Sequence, residues 1–100
     1  MQYKEFKDLR LSALGFGAMR LPVIDGDESR IDEAAAAEMV DFAIKSGINY
    51  FDTAHVYSDS EEKLGYALHD VRENIIISTK AMTTTVEGFW EQLRESLRRL

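Results

Sequence analysis

Apolar residues along this chain alternate between short, mostly apolar runs and helical spacing, and the alternation repeats three times. The short runs predict strands at Ala13–Gly17, Ile48–Asp52 and Ile75–Thr79. Apolar positions three or four residues apart predict helices from about Asp32 to Ser46, from about Ser60 to His69, and from Thr84 onward. Residues 2–13 are predicted as a short hairpin and residues 18–31 as a loop. The chain is therefore predicted to contain three strand–helix units after a hairpin.

Residues at the predicted helix ends are of the types that begin and end helices. Asp32 suits an N-cap position, and Gly47 suits a C-terminal stop. Asp59 and Thr84 each have a glutamate three residues later, which is the spacing of a capping box. The predicted inward faces are Ala36, Met39, Val40, Ala43 and Ile44 on the first helix, Leu64, Ala67 and Leu68 on the second, and Val86, Phe89, Trp90, Leu93, Leu97 and Leu100 on the third.

The repeated strand–helix order predicts an α/β fold with a parallel sheet, because parallel strands need crossover connections. Two architectures fit, an open doubly wound sheet and a (β/α)₈ TIM barrel. A barrel needs about 250 residues, so a chain of 100 residues holds about three units of an incomplete one. The barrel requires all three helices on one side of three adjacent strands, whereas a doubly wound sheet has helices on both faces.

Composition narrows the class of protein. The net charge of −6 argues against nucleic acid or an anionic membrane as the main partner, because both require clustered Lys and Arg. The chain has no cysteine, which excludes thiolate metal sites within it, and no metal site is predicted. The polar N-terminus lacks the apolar core of a signal peptide, so a cytoplasmic location is expected.

Candidate chemistry lies where the predicted parallel strands end, since both architectures place function at the carboxyl ends of strands. Asp52 and Lys80 end consecutive strands at equivalent positions, about 4.8 Å apart if the strands are adjacent. A charge directly after a buried run is costly unless it is paired, so the two are natural partners. A purely structural salt bridge explains the pair as well as a catalytic one does.

Tyr57 lies five residues after Asp52, in the predicted strand-to-helix loop. A phenol beside an ammonium ion becomes more acidic, because the positive charge stabilises the phenolate. Such a phenol can supply the proton that a carbonyl oxygen needs when hydride reaches its carbon. An ordinary aromatic residue at the rim of the sheet is the alternative interpretation of this tyrosine.

Four segments, in order and at matching spacing, resemble motifs of the aldo/keto reductase family. Residues 52–57, with the sequence DTAHVY, resemble its D-T-A-x-x-Y signature, and residues 60–68 resemble the S-E-x-x-L-G-x-A-L segment that follows. Residues 75–80 resemble its I-x-x-x-T-K strand, and residues 14–19 resemble its opening L-G-F-G-x-M strand and loop. The resemblance covers nearly the whole chain.

The resemblance implies the N-terminal part of an NADPH-dependent (β/α)₈-barrel reductase that acts on small aldehydes or ketones. It implies that Tyr57 is the general acid, that Lys80 makes the phenol more acidic, and that Asp52 orients and balances Lys80. The family's fourth catalytic residue, a histidine, would lie beyond Leu100, and His55 is not a credible replacement.

For the cofactor, the resemblance implies contacts from Gly17, Ala18 and Met19 beside the nicotinamide ribose, and from Asp52. It also leaves open a cofactor-binding regulatory protein on the same fold. Most contacts to the adenine and phosphates would lie outside residues 1–100, so we expect this stretch alone to be inactive. We also expect unusually exposed Ile, Phe and Leu side chains in it, because a barrel segment leaves apolar surface uncovered.

Overall fold

The structure is a computed structural model that describes residues 1–57 and 59–100. Its elements are β1 (Tyr3–Phe6), β2 (Leu9–Ser12), β3 (Phe16–Gly17), β4 (Val23–Ile24), β5 (Asp27–Ile31), α1 (Glu33–Lys45), β6 (Tyr50–Asp52), α2 (Ser60–Leu68), a 3₁₀ helix (His69–Asn74), β7 (Ile76–Ser78) and α3 (Val86–Arg99).

The three predicted strands form a parallel sheet in the order β3-β6-β7, which confirms the expected adjacency. Each observed strand is two or three residues long, whereas each predicted run has five residues. The other residues of each run lie outside the hydrogen-bonded ladder. The register aligns Gly17 with Asp52 and Asp52 with Ser78. The carboxyl ends of the three strands therefore meet at one edge of the sheet.

The helices form a single layer over this sheet. Helix α1 packs against α2, and α2 contacts α3. The core beneath them is formed by buried apolar residues from two helices and the sheet, including Ala36, Val40, Ala43, Leu64, Leu68, Phe51 and Ile75. This one-sided arrangement is the one that a barrel segment requires, and a doubly wound sheet is excluded.

Helix α3 departs from its predicted packing. Its apolar side was expected to be buried, yet Val86 is 74% and Leu97 is 70% exposed, and Phe89 and Trp90 are exposed too. No element in the described ranges covers this side, because α3 contacts α2 mainly through its last turn. There a Cβ at Gly65 would overlap the carbonyl oxygen of Arg99. The expected exposure is found for Phe and Leu, as at Phe42 and Leu97, but was wrong for Ile, since no isoleucine in the described ranges is exposed.

Two of the predicted helix starts were wrong in detail. Asp32 does cap α1, accepting a hydrogen bond from the Ala35 backbone N–H at 3.0 Å. Helix α3, however, is capped by Thr85 rather than Thr84, with the Thr85 hydroxyl accepting from Gly88 N–H at 3.0 Å. Asp59 precedes α2 but makes no side-chain capping bond, because its backbone (φ −97°, ψ 19°) is not extended as such a cap requires.

Two hairpins flank the first strand of the sheet. The predicted hairpin within residues 2–13 is confirmed by the antiparallel pair β1–β2. The segment 18–31, predicted as a loop, contains a second hairpin, β4–β5. Asp25 and Gly26 join its strands with φ values of 53° and 71°, the left-handed conformations of a type I′ turn. An Asp-Gly pair is a sequence signal for such a turn, and the loop prediction overlooked it.

Candidate functional site

The sheet has two faces whose side chains alternate along each strand. Phe51 points to the face that packs against the helices, here called the outer face, where its ring lies 5.4 Å from that of Phe16. Tyr50, Asp52 and Ser78 point to the opposite, inner face. There the Tyr50 hydroxyl donates to Ser78 Oγ at 3.1 Å. Asp52, which was predicted to carry chemistry, therefore lies on this inner face.

Asp52 and Lys80 form an ion pair at the carboxyl edge of the sheet. Lys80 Nζ lies 2.6 Å from Asp52 Oδ2 and donates to the Thr53 carbonyl at 2.8 Å. The Ser78 hydroxyl donates to Asp52 Oδ1. Both oxygens of the carboxylate therefore have partners, and the predicted contact between the two residues is present.

The predicted equivalence of Asp52 and Lys80 along their strands was wrong. Ser78 is the residue level with Asp52, and Lys80 follows two positions later, beyond the end of β7. Two positions return a side chain to the same face, and the long lysine stem reaches back to the carboxylate. Ser78 was missed as a member of this cluster because no spacing rule distinguishes a serine in a strand.

Each member of the ion pair favours the charged form of the other. Partial burial raises the pKa of Asp52, but hydrogen bonds from Lys80 and Ser78 outweigh it and bring that pKa below its ordinary value. The hydrogen bond to Asp52 raises the pKa of Lys80, with a smaller contribution from Tyr57 and against partial desolvation. Lys80 is therefore a cation across the neutral range.

Tyr57 joins this pair from the loop between β6 and α2. The Lys80 ammonium lies 5.2 Å from the centroid of its ring, within the range of a cation–π contact. Two backbone hydrogen bonds hold Tyr57, since its N–H donates to the Ala54 carbonyl at 3.1 Å and Ser60 N–H donates to the Tyr57 carbonyl at 2.8 Å. The structure thus brings Asp52, Tyr57 and Lys80 together. That the ammonium faces the hydroxyl itself stays a prediction.

The predicted cofactor residues lie beside this cluster in unequal environments. Gly17 is exposed and level with Asp52 on the neighbouring strand, and a Cβ there would have no atom within 4 Å, so the space beside Gly17 is open. Ala18 is buried, and both its backbone groups are taken, N–H by the Asp52 carbonyl at 2.8 Å and C=O by Ser60 Oγ at 2.7 Å. Met19 is exposed. Gly17 and Met19 are thus accessible to a ligand, whereas the backbone of Ala18 is fully used within the protein.

A buried hydroxyl pair supports the same edge and escaped the sequence analysis. Thr53 and Ser60 are fully buried and share a hydrogen bond of 2.8 Å between their oxygens. Ser60 also holds Ala18, as described above, so these two residues link the start of α2 to the segments after β3 and β6. Both belong to the quoted motifs, which was the signal available, but nothing in their spacing indicates a contact.

A cavity of about 350 Å³ opens beside Tyr57. The overlooked β4–β5 hairpin forms one wall, and Val56 with Tyr57 forms another. Its lining is mostly apolar with two charged residues, namely Met19, Arg20, Leu21, Val23, Glu28, Ile31, Val56 and Tyr57. The cavity is therefore suited to a small molecule with an apolar portion.

Two kinds of feature are absent from the described part of the chain, residues 1–57 and 59–100. No helix there is long and apolar enough to cross a membrane. No group of three or more His, Cys, Asp or Glu side chains there is arranged to hold a metal ion.

Comparison with known sequences identifies relatives across almost the whole chain. The aldo/keto reductase family profile matches residues 13–100. The chain is 36% identical to an uncharacterized oxidoreductase of Bacillus subtilis (strain 168), YqkF, over 93% of this chain but 32% of that protein. It is also 36% identical, over 80% of its length and 25% of the relative, to a rice protein (Oryza sativa subsp. japonica) named "Probable voltage-gated potassium channel subunit beta".

Solved structures show the same fold. The chain superimposes on an aldo-keto reductase of Bacillus halodurans in its holo form with a TM-score of 0.81 and 33% identity, covering 100% of this chain and 36% of that one. A thermostable aldo-keto reductase in complex with the inhibitor epalrestat gives a TM-score of 0.82 at 30% identity, with 99% of this chain and 38% of that one covered. The chain thus spans roughly a third of its relatives, as a partial barrel.

Proposed function

The chain belongs to the aldo/keto reductase family, and we propose that it is the N-terminal segment of an NADPH-dependent oxidoreductase that reduces small aldehydes or ketones to alcohols. One observation carries the proposal. The Lys80 ammonium is held by Asp52 at 2.6 Å and lies against the Tyr57 ring, at the edge where parallel strands present their chemistry. We propose residues 1–100 as part of one barrel domain.

In this proposal Tyr57 donates a proton to the carbonyl oxygen of the substrate. Lys80 stays protonated because Asp52 raises its pKa, and a positive charge beside a phenol favours release of the phenolic proton. Asp52 in turn is held by Ser78, so its free oxygen stays directed at Lys80. Tyr57 is then the acid, and the charges of Lys80 and Asp52 balance each other before the reaction begins.

NADPH, when bound, supplies the hydride that adds to the carbonyl carbon, so that the product alcohol gains that hydride and the proton from Tyr57. Gly17, Met19 and Asp52 would hold the nicotinamide end, since the space beside Gly17 is open, Met19 is exposed and Asp52 lies level with Gly17. The buried backbone of Ala18 keeps the segment before Met19 fixed to β6. The apolar cavity beside Tyr57 would receive the body of the substrate.

Replacing Tyr57 by Phe in a complete barrel that carries this segment tests the proposal. We expect carbonyl reduction to fall at least about 100-fold, because the proton donor is removed. The dissociation constant for NADPH, followed by cofactor fluorescence, should change less than about twofold, since the hydroxyl is assigned to the substrate oxygen. Full turnover in the Tyr57→Phe variant would exclude Tyr57 as the acid.

A regulatory protein on the same barrel is the second candidate. The 36% identity to a protein named as a potassium channel subunit supports it. A protein of this kind would bind NADPH yet turn over carbonyl compounds very slowly, and the Tyr57→Phe change would then alter neither property. Steady-state turnover with a panel of small aldehydes and ketones separates the two candidates.

The isolated stretch of residues 1–100 is proposed to be catalytically inert. Its exposed apolar residues on α3 and its open β7 edge favour loose folding or association. Titration of the purified stretch with NADPH, combined with sedimentation, tests this. A monomer that melts cooperatively and binds NADPH at micromolar concentration would overturn it.

A further inference from the structure

A second carboxylate, Glu61, lies close to the proposed site but on the outer face of the sheet. It is the second residue of α2, and its side chain is fully buried, with 0% exposed. A carboxylate so far from water is costly unless charges and hydrogen bonds compensate it. Its partners therefore identify what it holds together.

Glu61 has three partners from three segments. Thr79 Oγ1 donates to Glu61 Oε2 at 2.6 Å, and Arg99 Nη1 donates to Glu61 Oε1 at 3.1 Å. The buried His55 Nδ1, which has no hydrogen-bond partner among residues 1–57 and 59–100, lies 3.7 Å from Oε1. Arg99 is fixed in turn by Glu95 at 3.1 Å. The carboxylate thus bridges the loop after β6, the end of β7 and the last turn of α3.

Two of these partners belong to the segments that carry the proposed acid and its cation. His55 lies two residues before Tyr57, and its backbone N–H donates to the Lys80 carbonyl at 3.0 Å. Thr79 immediately precedes Lys80. Because side chains alternate along the chain, Thr79 faces Glu61 on the outer face while Lys80 faces Asp52 on the inner face. A rotation of the backbone at Thr79 would therefore displace the ammonium.

We propose that Glu61 is a positioning residue for carbonyl reduction: through Thr79 it fixes the backbone that aims Lys80 at Tyr57. This inference rests on the proposed function of Tyr57 and Lys80. Arg99 supplies the charge that allows the carboxylate to be buried. The coupling runs through the hydrogen bond between Glu61 and Thr79, so it predicts an effect on turnover that a merely stabilising ion pair would not produce.

The test compares four variants in a complete barrel that carries this segment. Thr79→Val removes the hydroxyl at nearly constant volume, and Thr79→Ser keeps it. Glu61→Gln keeps the shape of the side chain but removes its charge. Glu95→Gln removes the exposed partner of Arg99 and leaves Glu61 in place. For each variant kcat and KM are measured with one aldehyde, after circular dichroism and a urea titration have established the folded fraction.

We expect kcat per folded molecule to fall about tenfold in Thr79→Val and Glu61→Gln, with KM for the aldehyde and for NADPH within about twofold. Thr79→Ser should restore most of the kcat, and Glu95→Gln should match the parent protein. The proposal is overturned if Thr79→Val and Glu61→Gln lower the urea midpoint but leave kcat per folded molecule unchanged, or if Thr79→Ser is as slow as Thr79→Val.

Tyr57→Phe, measured in the same series, separates this inference from the function on which it rests. A slow Tyr57→Phe variant beside a fast Thr79→Val variant rejects the positioning role alone. A fast Tyr57→Phe variant rejects the proposed function. Should Glu61→Gln fail to fold, the comparison of Thr79→Val with Thr79→Ser still decides the matter, because neither substitution changes a charge.

Discussion

Two carboxylate–cation pairs lie on opposite faces of the same strand ends, and they differ in nearly every physical respect. The inner pair, Asp52 with Lys80, is 38% and 51% exposed. The outer pair, Glu61 with Arg99, is 0% and 24% exposed. An exposed pair contributes little to stability, whereas a buried one is costly to break. Under the proposed function, the inner pair takes part in the chemistry and the outer pair maintains the shape of the site.

The largest expected effect comes from breaking the inner pair at its cation. Lys80→Met in a complete barrel should lower kcat/KM for carbonyl reduction at least about 100-fold, because the cation that lies against the proposed proton donor is removed. The free energy of unfolding should change by less than about 1 kcal/mol, since both charges are partly solvated. Enzyme assays and urea denaturation on one preparation check both halves. If Lys80→Met lowered the free energy of unfolding by more than it raised the activation free energy, the inner pair would act mainly on stability and the contrast would be wrong.

Breaking the outer pair should instead have a large effect on the free energy of unfolding. Glu61→Ala should reduce the free energy of unfolding by about 3 kcal/mol, because it leaves the Arg99 guanidinium and the Thr79 hydroxyl without their buried acceptor. Urea denaturation of a complete barrel measures this. Glu95→Ala, at the exposed end of the same arginine, is the control and should be far milder. Equal losses of unfolding free energy in Glu61→Ala and Glu95→Ala would show that the burial of Glu61 adds nothing to stability.

A third change acts on the outer pair without touching either charge. The backbone of α3 passes so close to Gly65 that a methyl group there would overlap the Arg99 carbonyl oxygen. Gly65→Ala should therefore push the last turn of α3 away from Glu61 and cost about 2 kcal/mol of unfolding free energy. Tyr66→Ala, at the exposed neighbouring position, should cost within about 0.5 kcal/mol. Comparable melting temperatures for the two variants would contradict the close approach.

The smallest effect is the pH dependence of the inner pair. The pKa of Asp52 is lowered, so its stabilising contribution is present above the ordinary value of about 3.8 and is lost as the pH falls through the lower folded value. The pKa of Lys80 is raised, so its contribution is lost as the pH rises through its folded value, above about 10.5. Asp52→Asn should thus cost less than about 1 kcal/mol at pH 7 and still less below pH 3. If Asp52→Asn cost the same free energy of unfolding at pH 7 and below pH 3, the ion pair would make no contribution to stability.

Much of the fold was predictable because it depends on patterns that act locally. Apolar spacing located the helices and the three parallel strands, and Asp32 was recognised as the cap of α1. The proximity of Asp52 and Lys80 followed from their positions at the ends of adjacent strands. The exact register did not follow, since the ladder aligns Asp52 with Ser78, and run lengths alone cannot show where hydrogen bonding stops.

The outer pair could not have been predicted from the same patterns. Glu61 lies in the first turn of a helix, where an acidic residue is explained well enough by the helix dipole. Its burial depends on Arg99, which is 38 residues away in the chain and approaches only because Gly65 admits the last turn of α3. Contacts of this kind arise from tertiary packing. A single sequence carries no periodic signal of them.

The free edge of β7 has a consequence for the time at which this segment is synthesised. In a closed barrel every strand has two neighbours, whereas β7 pairs only with β6 among the described strands. A ribosome adds about 5–20 residues per second, so a further strand some 30 residues downstream would emerge seconds after β7. During that interval the edge and the apolar side of α3 would be open to other nascent chains. The segment that carries the proposed catalytic cluster is thus expected to need protection by chaperones as the protein is made.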